Sequence, residues 1–222
     1  MFYKIFDDKQ VKHISDALFN KLLVDGKHTQ QLSNAYNIKE NKEHPVPSDI
    51  NDYIKDVFLS KRFVKHIFAP TNFTARIYNQ YVTNDFYDYH IDPFRSTLPD
   101  SLPMQFNYGF TIGLTDDYEG GEFVIQTDAG EIGYKVGKGE AVIFPIIYPH
   151  KVAPVTKGCR QNIIGWFESK ITYEQSYILK HLEEVLSIHL DLIKSNKDQD
   201  LFKDLLTKSI LIQSYLVNKW SL

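Results

Sequence analysis

The sequence predicts a mainly β protein with flanking helices, in which a sandwich or barrel core lies between N-terminal helices and a C-terminal helical tail. Two observations carry that prediction. From about Ile67 to Phe167 apolar residues recur with a period of two, in short runs punctuated by turn residues. On either side of this stretch the apolar spacing is i, i+3, i+4 and i+7 instead, the mark of amphipathic helices. With 222 residues, 43% of them hydrophobic, the chain can bury a sizeable core as one domain.

In chain order, Asp7-Asp8-Lys9-Gln10 reads as a capping box. It opens a helix through Val11, Ile14, Leu18 and Leu22 that stops near Asp25-Gly26. Residues 27–46 are polar and read as irregular. Ser48, after Pro47, starts a second helix whose stripe is Ile50, Tyr53, Ile54, Val57 and Phe58. The expected strands are Phe73–Tyr81, Tyr87–Asp92, Phe106–Leu114, Glu122–Gln126, Glu131–Val136, Ala141–Phe144, Lys151–Val155 and Gln161–Phe167. Gly120-Gly121 reads as a tight turn needing positive φ. Helical spacing returns from Tyr173, first with Ile178, Leu182, Val185 and Leu186, then with Leu201, Leu205, Ile210, Leu211 and Leu216. Ser195-Asn196-Lys197-Asp198 is the expected connection between those two helices. Residues 1–170 are thus expected to form one domain, with 171–222 as a helical extension packed on it; a homodimer surface is the other use of such a tail.

Bulk properties exclude some classes. A formal net charge of -3 advertises neither a nucleic-acid nor an anionic-membrane partner. Cys159 is the single cysteine, so no internal disulfide can form, which suits a reducing compartment. No apolar run approaches a membrane span, and Met1–Gln10 has no signal-peptide run. A cytoplasmic location is the expectation.

The chemistry concentrates at Tyr87-Asp88-Tyr89-His90-Ile91-Asp92. In a strand, His90 and Asp92 point to one side. Two histidines, His90 and the distant His150, and one carboxylate make a facial triad that leaves positions open on a non-haem Fe(II). Arg160, ten residues past His150, supplies a planar fork that takes a carboxylate bidentately, which suggests an acid-bearing co-substrate. Alternation puts Arg160, Asn162, Ile164 and Trp166 on one face of their strand, polar at its start and aromatic further in.

In His90-Ile91-Asp92, in Asp117-Tyr118-Glu119-Gly120-Gly121-Glu122-Phe123 and in Pro149–Arg160 the chain resembles the Fe(II)- and 2-oxoglutarate-dependent dioxygenases. Among these it is most similar to the prolyl-4-hydroxylase-like group and its bacterial PKHD-type hydroxylases. The resemblance implies a double-stranded β-helix, a jelly-roll occupying about residues 67–167. It implies Fe(II) on His90, Asp92 and His150, and 2-oxoglutarate with its distal carboxylate on Arg160. Tyr81, Asn162 and Trp166 join Arg160 as co-substrate-binding residues. The implied reaction uses O2 to hydroxylate a prolyl or lysyl side chain of a protein or a small metabolite, releasing succinate and CO2, with ascorbate as a reductant for the iron. The run Asp92-Pro93-Phe94-Arg95 and the segment Ser96–Gln105 depart from the family pattern and leave the substrate open. The rival readings are a non-catalytic jelly-roll module that binds a metal or ligand, and a cupin-like metalloenzyme that does not use 2-oxoglutarate; neither requires a cation at Arg160.

Overall fold

The computed structural model describes residues 1–30, 38–93, 105–195 and 199–220. They divide into two compact units, one of Met1–Val57 with Asn72–Glu168, the other of Phe58–Thr71 with Ser169–Leu222. In order, the elements are β1 (Phe2–Lys4), α1 (Asp8–Leu18), β2 (Val24–Asp25), α2 (Lys27–Gln30), β3 (Lys39–Glu40), β4 (Lys42–Pro45), α3 (Ser48–Ser60), α4 (Arg62–Phe68), β5 (Pro70–Tyr81) and β6 (Phe86–His90). There follow β7 (Tyr108–Gly113), β8 (Tyr118–Gly120), β9 (Phe123–Thr127), β10 (Gly130–Tyr134), β11 (Glu140–Pro145), β12 (His150–Val152), β13 (Val155–Gly158), β14 (Arg160–Ser169), α5 (Tyr173–Lys194) and α6 (Gln199–Trp220).

Among the described residues the first unit holds a seven-stranded sheet in the order β1-β11-β7-β14-β5-β4-β2 and a five-stranded sheet in the order β10-β9-β12-β6-β3. A two-stranded ribbon, β13-β8, completes it. β7 pairs antiparallel with β11 and β14, and β12 antiparallel with β6 and β9, as short strands joined by tight turns allow. Tyr81, Val142 and Phe144 of the larger sheet meet Phe123, Ile125 and Val152 of the smaller one in a shared apolar cluster. The second unit is helical. Thr172 caps α5 with Gln175 as its reciprocal partner, and His66 on α4 donates to Gln213 on α6. No helix of the described residues is long and apolar enough to cross a membrane.

The period-two core and the helical ends are where the sequence places them, and the capping box of Asp7 and Gln10 forms. Several boundaries differ. The first helix ends at Leu18 instead of Asp25-Gly26, Leu22 is exposed, and Val24–Asp25 becomes a strand paired with Glu43 and Lys42. Tertiary strand pairing here overrides the helical spacing. The stretch read as irregular also contains α2, β3 and β4; residues 31–37 lie outside the described residues. Its strands escaped the hydrophobic pattern because their buried residues include the ion pair Lys39–Glu43. Ile67 belongs to α4 and not to the first strand, so the β core begins at Pro70. The expected strand Lys151–Val155 is two strands, β12 and β13. Gly120 and Gly121 do take positive φ, at 69° and 66°. Of the expected connection between the tail helices, 196–198 lie outside the described residues, as do 94–104 of the stretch after Asp92 that departs from the family pattern.

Candidate metal centre

The smaller sheet brings the two histidines together. β6 and β12 run antiparallel with His90 directly opposite His150, and their rings lie 4.2 Å apart between centroids. β6 stops at His90, so Asp92 reaches the same point from just beyond the strand end and not by strand alternation. Asp92 Oδ1 is 3.8 Å from His90 Nε2, and Asp92 Oδ2 is 3.5 Å from His150 Nε2. One ligand atom from each residue lies within 4.8 Å of the others.

The backbone fixes which nitrogen faces inward. His90 Nδ1 is 2.9 Å from the carbonyl oxygen of Asp88, and His150 Nδ1 is 3.0 Å from that of Tyr148. A carbonyl only accepts, so each Nδ1 carries a proton, which leaves Nε2 as the nitrogen that can offer a lone pair to a metal. The Trp166 indole N–H donates to Asp92 Oδ2 at 2.8 Å. Tyr87 stacks on His90 with centroids 3.7 Å apart, while Phe144 and Phe123 crowd His150. Burial, with the neighbouring His150, pushes the His90 pKa down to about 3. Burial alone would raise Asp92, but His150, His90 and the Trp166 N–H outweigh it and hold that pKa at about 2. Two imidazole nitrogens beside an ionised carboxylate are a donor set that suits a divalent iron.

These residues wall a narrow cavity that extends to Arg160. Arg160 opens β14 and is 1% exposed, yet it makes no ion pair among the described residues. Its Nη1 donates to Asn162 Oδ1 at 2.6 Å and the guanidinium also interacts with the Tyr118 phenol, while Nε and Nη2 make no close hydrogen bond among the described residues. Asn162 in turn donates to Thr111 Oγ1 at 3.0 Å, which fixes the amide orientation that receives the guanidinium. The guanidinium carbon sits 5.2 Å from the centre of the Tyr81 ring, and burial raises the Tyr81 phenol well above its ordinary range. Phe110, Phe123, Phe144, Val152 and Ile164 form the apolar wall. A buried cation with two unmet donors is costly, and an acid entering the cavity would meet both.

The structure thus brings His90, Asp92 and His150 to one point, and places Tyr81, Arg160 and Asn162 around the adjoining cavity. Trp166 lies outside the lining and contacts the carboxylate instead. Sequence reasoning missed Lys39, Asn79 and Thr111 in the lining. Only Asn79 carried a readable signal, since it precedes Tyr81 by two and so shares its face. Cys159 lies outside the lining.

The profile of the 2OG-Fe(II) oxygenase superfamily matches residues 77–168, which span β5 to β14 and hold every one of the predicted site residues. A PKHD-type hydroxylase of Idiomarina loihiensis is 30% identical over 97% of this chain and 95% of its own length. The chain belongs to the PKHD-type hydroxylases. A PKHD-type hydroxylase of Shewanella oneidensis is 28% identical over 89% of this chain and 90% of its own. Among solved structures, a Pseudomonas putida prolyl-4-hydroxylase superposes with a TM-score of 0.56 at 16% identity, over 76% of this chain and 91% of that one. A Trichoplax adhaerens prolyl hydroxylase, solved with a hypoxia inducible factor oxygen degradation domain peptide fragment, gives 0.58 at 14% identity, over 77% and 83%. These likenesses identify the two-sheet core as a double-stranded β-helix. As a PKHD-type hydroxylase the chain is a 2-oxoglutarate-dependent iron dioxygenase, and the chemistry of its family requires Fe(II), 2-oxoglutarate and O2.

Proposed function

We propose that His90, Asp92 and His150 hold the Fe(II), that Arg160 pairs with the distal carboxylate of 2-oxoglutarate, and that the enzyme hydroxylates a C–H bond of a peptide side chain or small molecule. The observation that carries this reading is the buried guanidinium of Arg160, with Nε and Nη2 unmet in the same cavity as the triad. Iron and 2-oxoglutarate, when bound, supply the oxidation: one oxygen atom of O2 enters the substrate C–H bond, and the other enters the co-substrate, which leaves as succinate and CO2.

The protein's own part is positioning. The Asp88 and Tyr148 carbonyls hold the Nδ1–H of the two histidines and so aim Nε2. Trp166 fixes one oxygen of Asp92. Thr111 and Asn162 orient Arg160, with Tyr81 beside it. The aromatic wall keeps water from the cavity and so strengthens these polar contacts. Ascorbate, as reductant for the iron, belongs to the same reading. The Trichoplax complex supports a peptide substrate and a Streptomyces hygroscopicus structure solved with hygromycin B a small one. Residues 1–170 are proposed as the catalytic domain with 171–222 as its helical extension, and the lone Cys159 supports a cytoplasmic setting.

The test is anaerobic titration of 2-oxoglutarate into the Fe(II) protein. A weak visible charge-transfer band that needs both components is expected. Arg160→Ala should weaken 2-oxoglutarate binding by about 30-fold or more, the loss typical of truncating one partner of a buried charge pair, while iron affinity changes little. An unchanged dissociation constant in that variant removes Arg160 from the site.

A further inference from the structure

We propose that Asn79 is a further co-substrate-binding residue, whose side-chain amide donates a hydrogen bond to a carboxylate oxygen of bound 2-oxoglutarate. The inference rests on the reading of the cavity just given. Asn79 lies on β5, is 1% exposed and lines the cavity. Its Oδ1 accepts from Asn41 Nδ2 at 2.8 Å, but its own Nδ2 has no partner among the described residues. Buried amide hydrogens are almost always paired, so an unmet one in a cavity wall marks the place of an acceptor. A carboxylate has only acceptors to offer and is the complementary group.

The surroundings decide which way the amide points. Glu43 stands directly opposite Asn79 in the β4–β5 register and is paired with Lys39 at 2.7 Å, both side chains being 3% exposed. Lys39 also donates to Thr29 Oγ1 at 2.9 Å. With Asn41 donating from this side, Asn79 turns its oxygen toward Asn41 and leaves its N–H2 for the cavity. Alternation along β5 gives Asn79 and Tyr81 the same face, and the Tyr81 ring lies against Arg160. Asn79 therefore belongs to the buried end of the cavity with Tyr81, Arg160 and Asn162. The chain beside Asp92 is exposed at Ile91 and Pro93, which is where a substrate would approach. The ligand that reaches Asn79 is then the co-substrate.

The experiment uses the full chain loaded with Zn(II), which is redox-silent, and measures 2-oxoglutarate affinity by calorimetry alongside Zn(II) affinity and thermal midpoint. Asn79→Ala is expected to bind 2-oxoglutarate about 10- to 100-fold more weakly, the span for a lost bond to a charged group, with Zn(II) affinity unchanged. Asn79→Asp, which replaces the donor by an anion, should lose more. Wild-type affinity in Asn79→Ala while Arg160→Ala is impaired overturns this proposal alone; wild-type affinity in both overturns the co-substrate reading beneath it. The wild-type chain gives a test that needs no altered protein to fold. Its side-chain amide 15N–1H resonances should include one with the two protons inequivalently shifted downfield on adding 2-oxoglutarate, and no such movement overturns the proposal.

Discussion

Replacing Trp166 by Phe isolates one hydrogen bond that ties the larger sheet to Asp92. The change deletes one donor, the indole N–H 2.8 Å from Asp92 Oδ2, and keeps an aromatic ring against Phe106, whose centroid is 5.9 Å away. A hydrogen bond to a buried carboxylate contributes about 1.5–3 kcal/mol. Much of that is present before the metal arrives, because Asp92 is already ionised in the metal-free site. The loss therefore divides between stability of the metal-free protein and orientation of the ligand oxygen. For metal affinity we expect about tenfold weakening, the low end of what removal of a ligand's supporting partner usually costs. Mn(II) dissociation constants from chelator competition measure the affinity, and denaturant melts of the metal-free protein measure the remainder. An unchanged metal affinity, with Asp92→Ala losing metal altogether, would show that Trp166 does not orient the carboxylate.

Other expectations follow from the same geometry. His150→Ala and Asp92→Ala should abolish iron binding while circular dichroism stays native, and metal content equal to wild type in either would refute the triad. Gly121→Ala should destabilise by about 1–2 kcal/mol, because φ of 66° is left-handed and the added Cβ would lie 2.9 Å from Val155 Cγ2 and 3.1 Å from Arg160 Cδ. A drop of about 2–8 °C in Tm is the readout, with weaker 2-oxoglutarate binding if Arg160 is displaced. The metal-free protein should lose stability on acidification: His90 titrates near 3 when folded and near 6.5 when unfolded, so the unfolded chain binds the extra proton between those values. Stability then falls as pH drops from about 6.5 toward 3, and His90→Asn should flatten that part of the profile in urea melts.

The site was more legible in the sequence than the frame around it. His90, Asp92, His150 and Arg160 stand out because few residue types suit this chemistry and the spacing within each of the two segments is short. The facing of Arg160 and Asn162 followed from alternation alone. That Asp92 lies beyond the strand end was hidden, since alternation and a following turn put it beside His90 equally well. β3 and β4 were hidden for another reason: Lys39, Asn41 and Glu43 are buried by pairing with one another and with Asn79, and no hydrophobic pattern records a polar interior. The first helix was read too long because Leu22 fits the stripe that precedes it, while the pairing of β2 with β4 depends on residues some twenty positions away. Trp166 was placed on the correct face, but the partner it meets, 74 residues earlier in the chain, is a property of the folded sheets.

The cross-strand pair of His90 and His150 would give a metal held there a second effect. β6 and β12 meet at that pair and their register then slips before Val152, so the ladder is irregular beside the ligands. An ion held by both histidines is a cross-link between the two strands at that irregular point. It would stabilise the folded chain by about 2.7 kcal/mol when present at a hundred times its dissociation constant. Iron supply would then govern the lifetime of the polypeptide as well as its turnover. Chains lacking iron would open more often at β6 and β12 and be cut first by a protease. Limited proteolysis with and without Mn(II) should show cleavage near these strands only in the metal-free sample, and identical digestion patterns would exclude such a link.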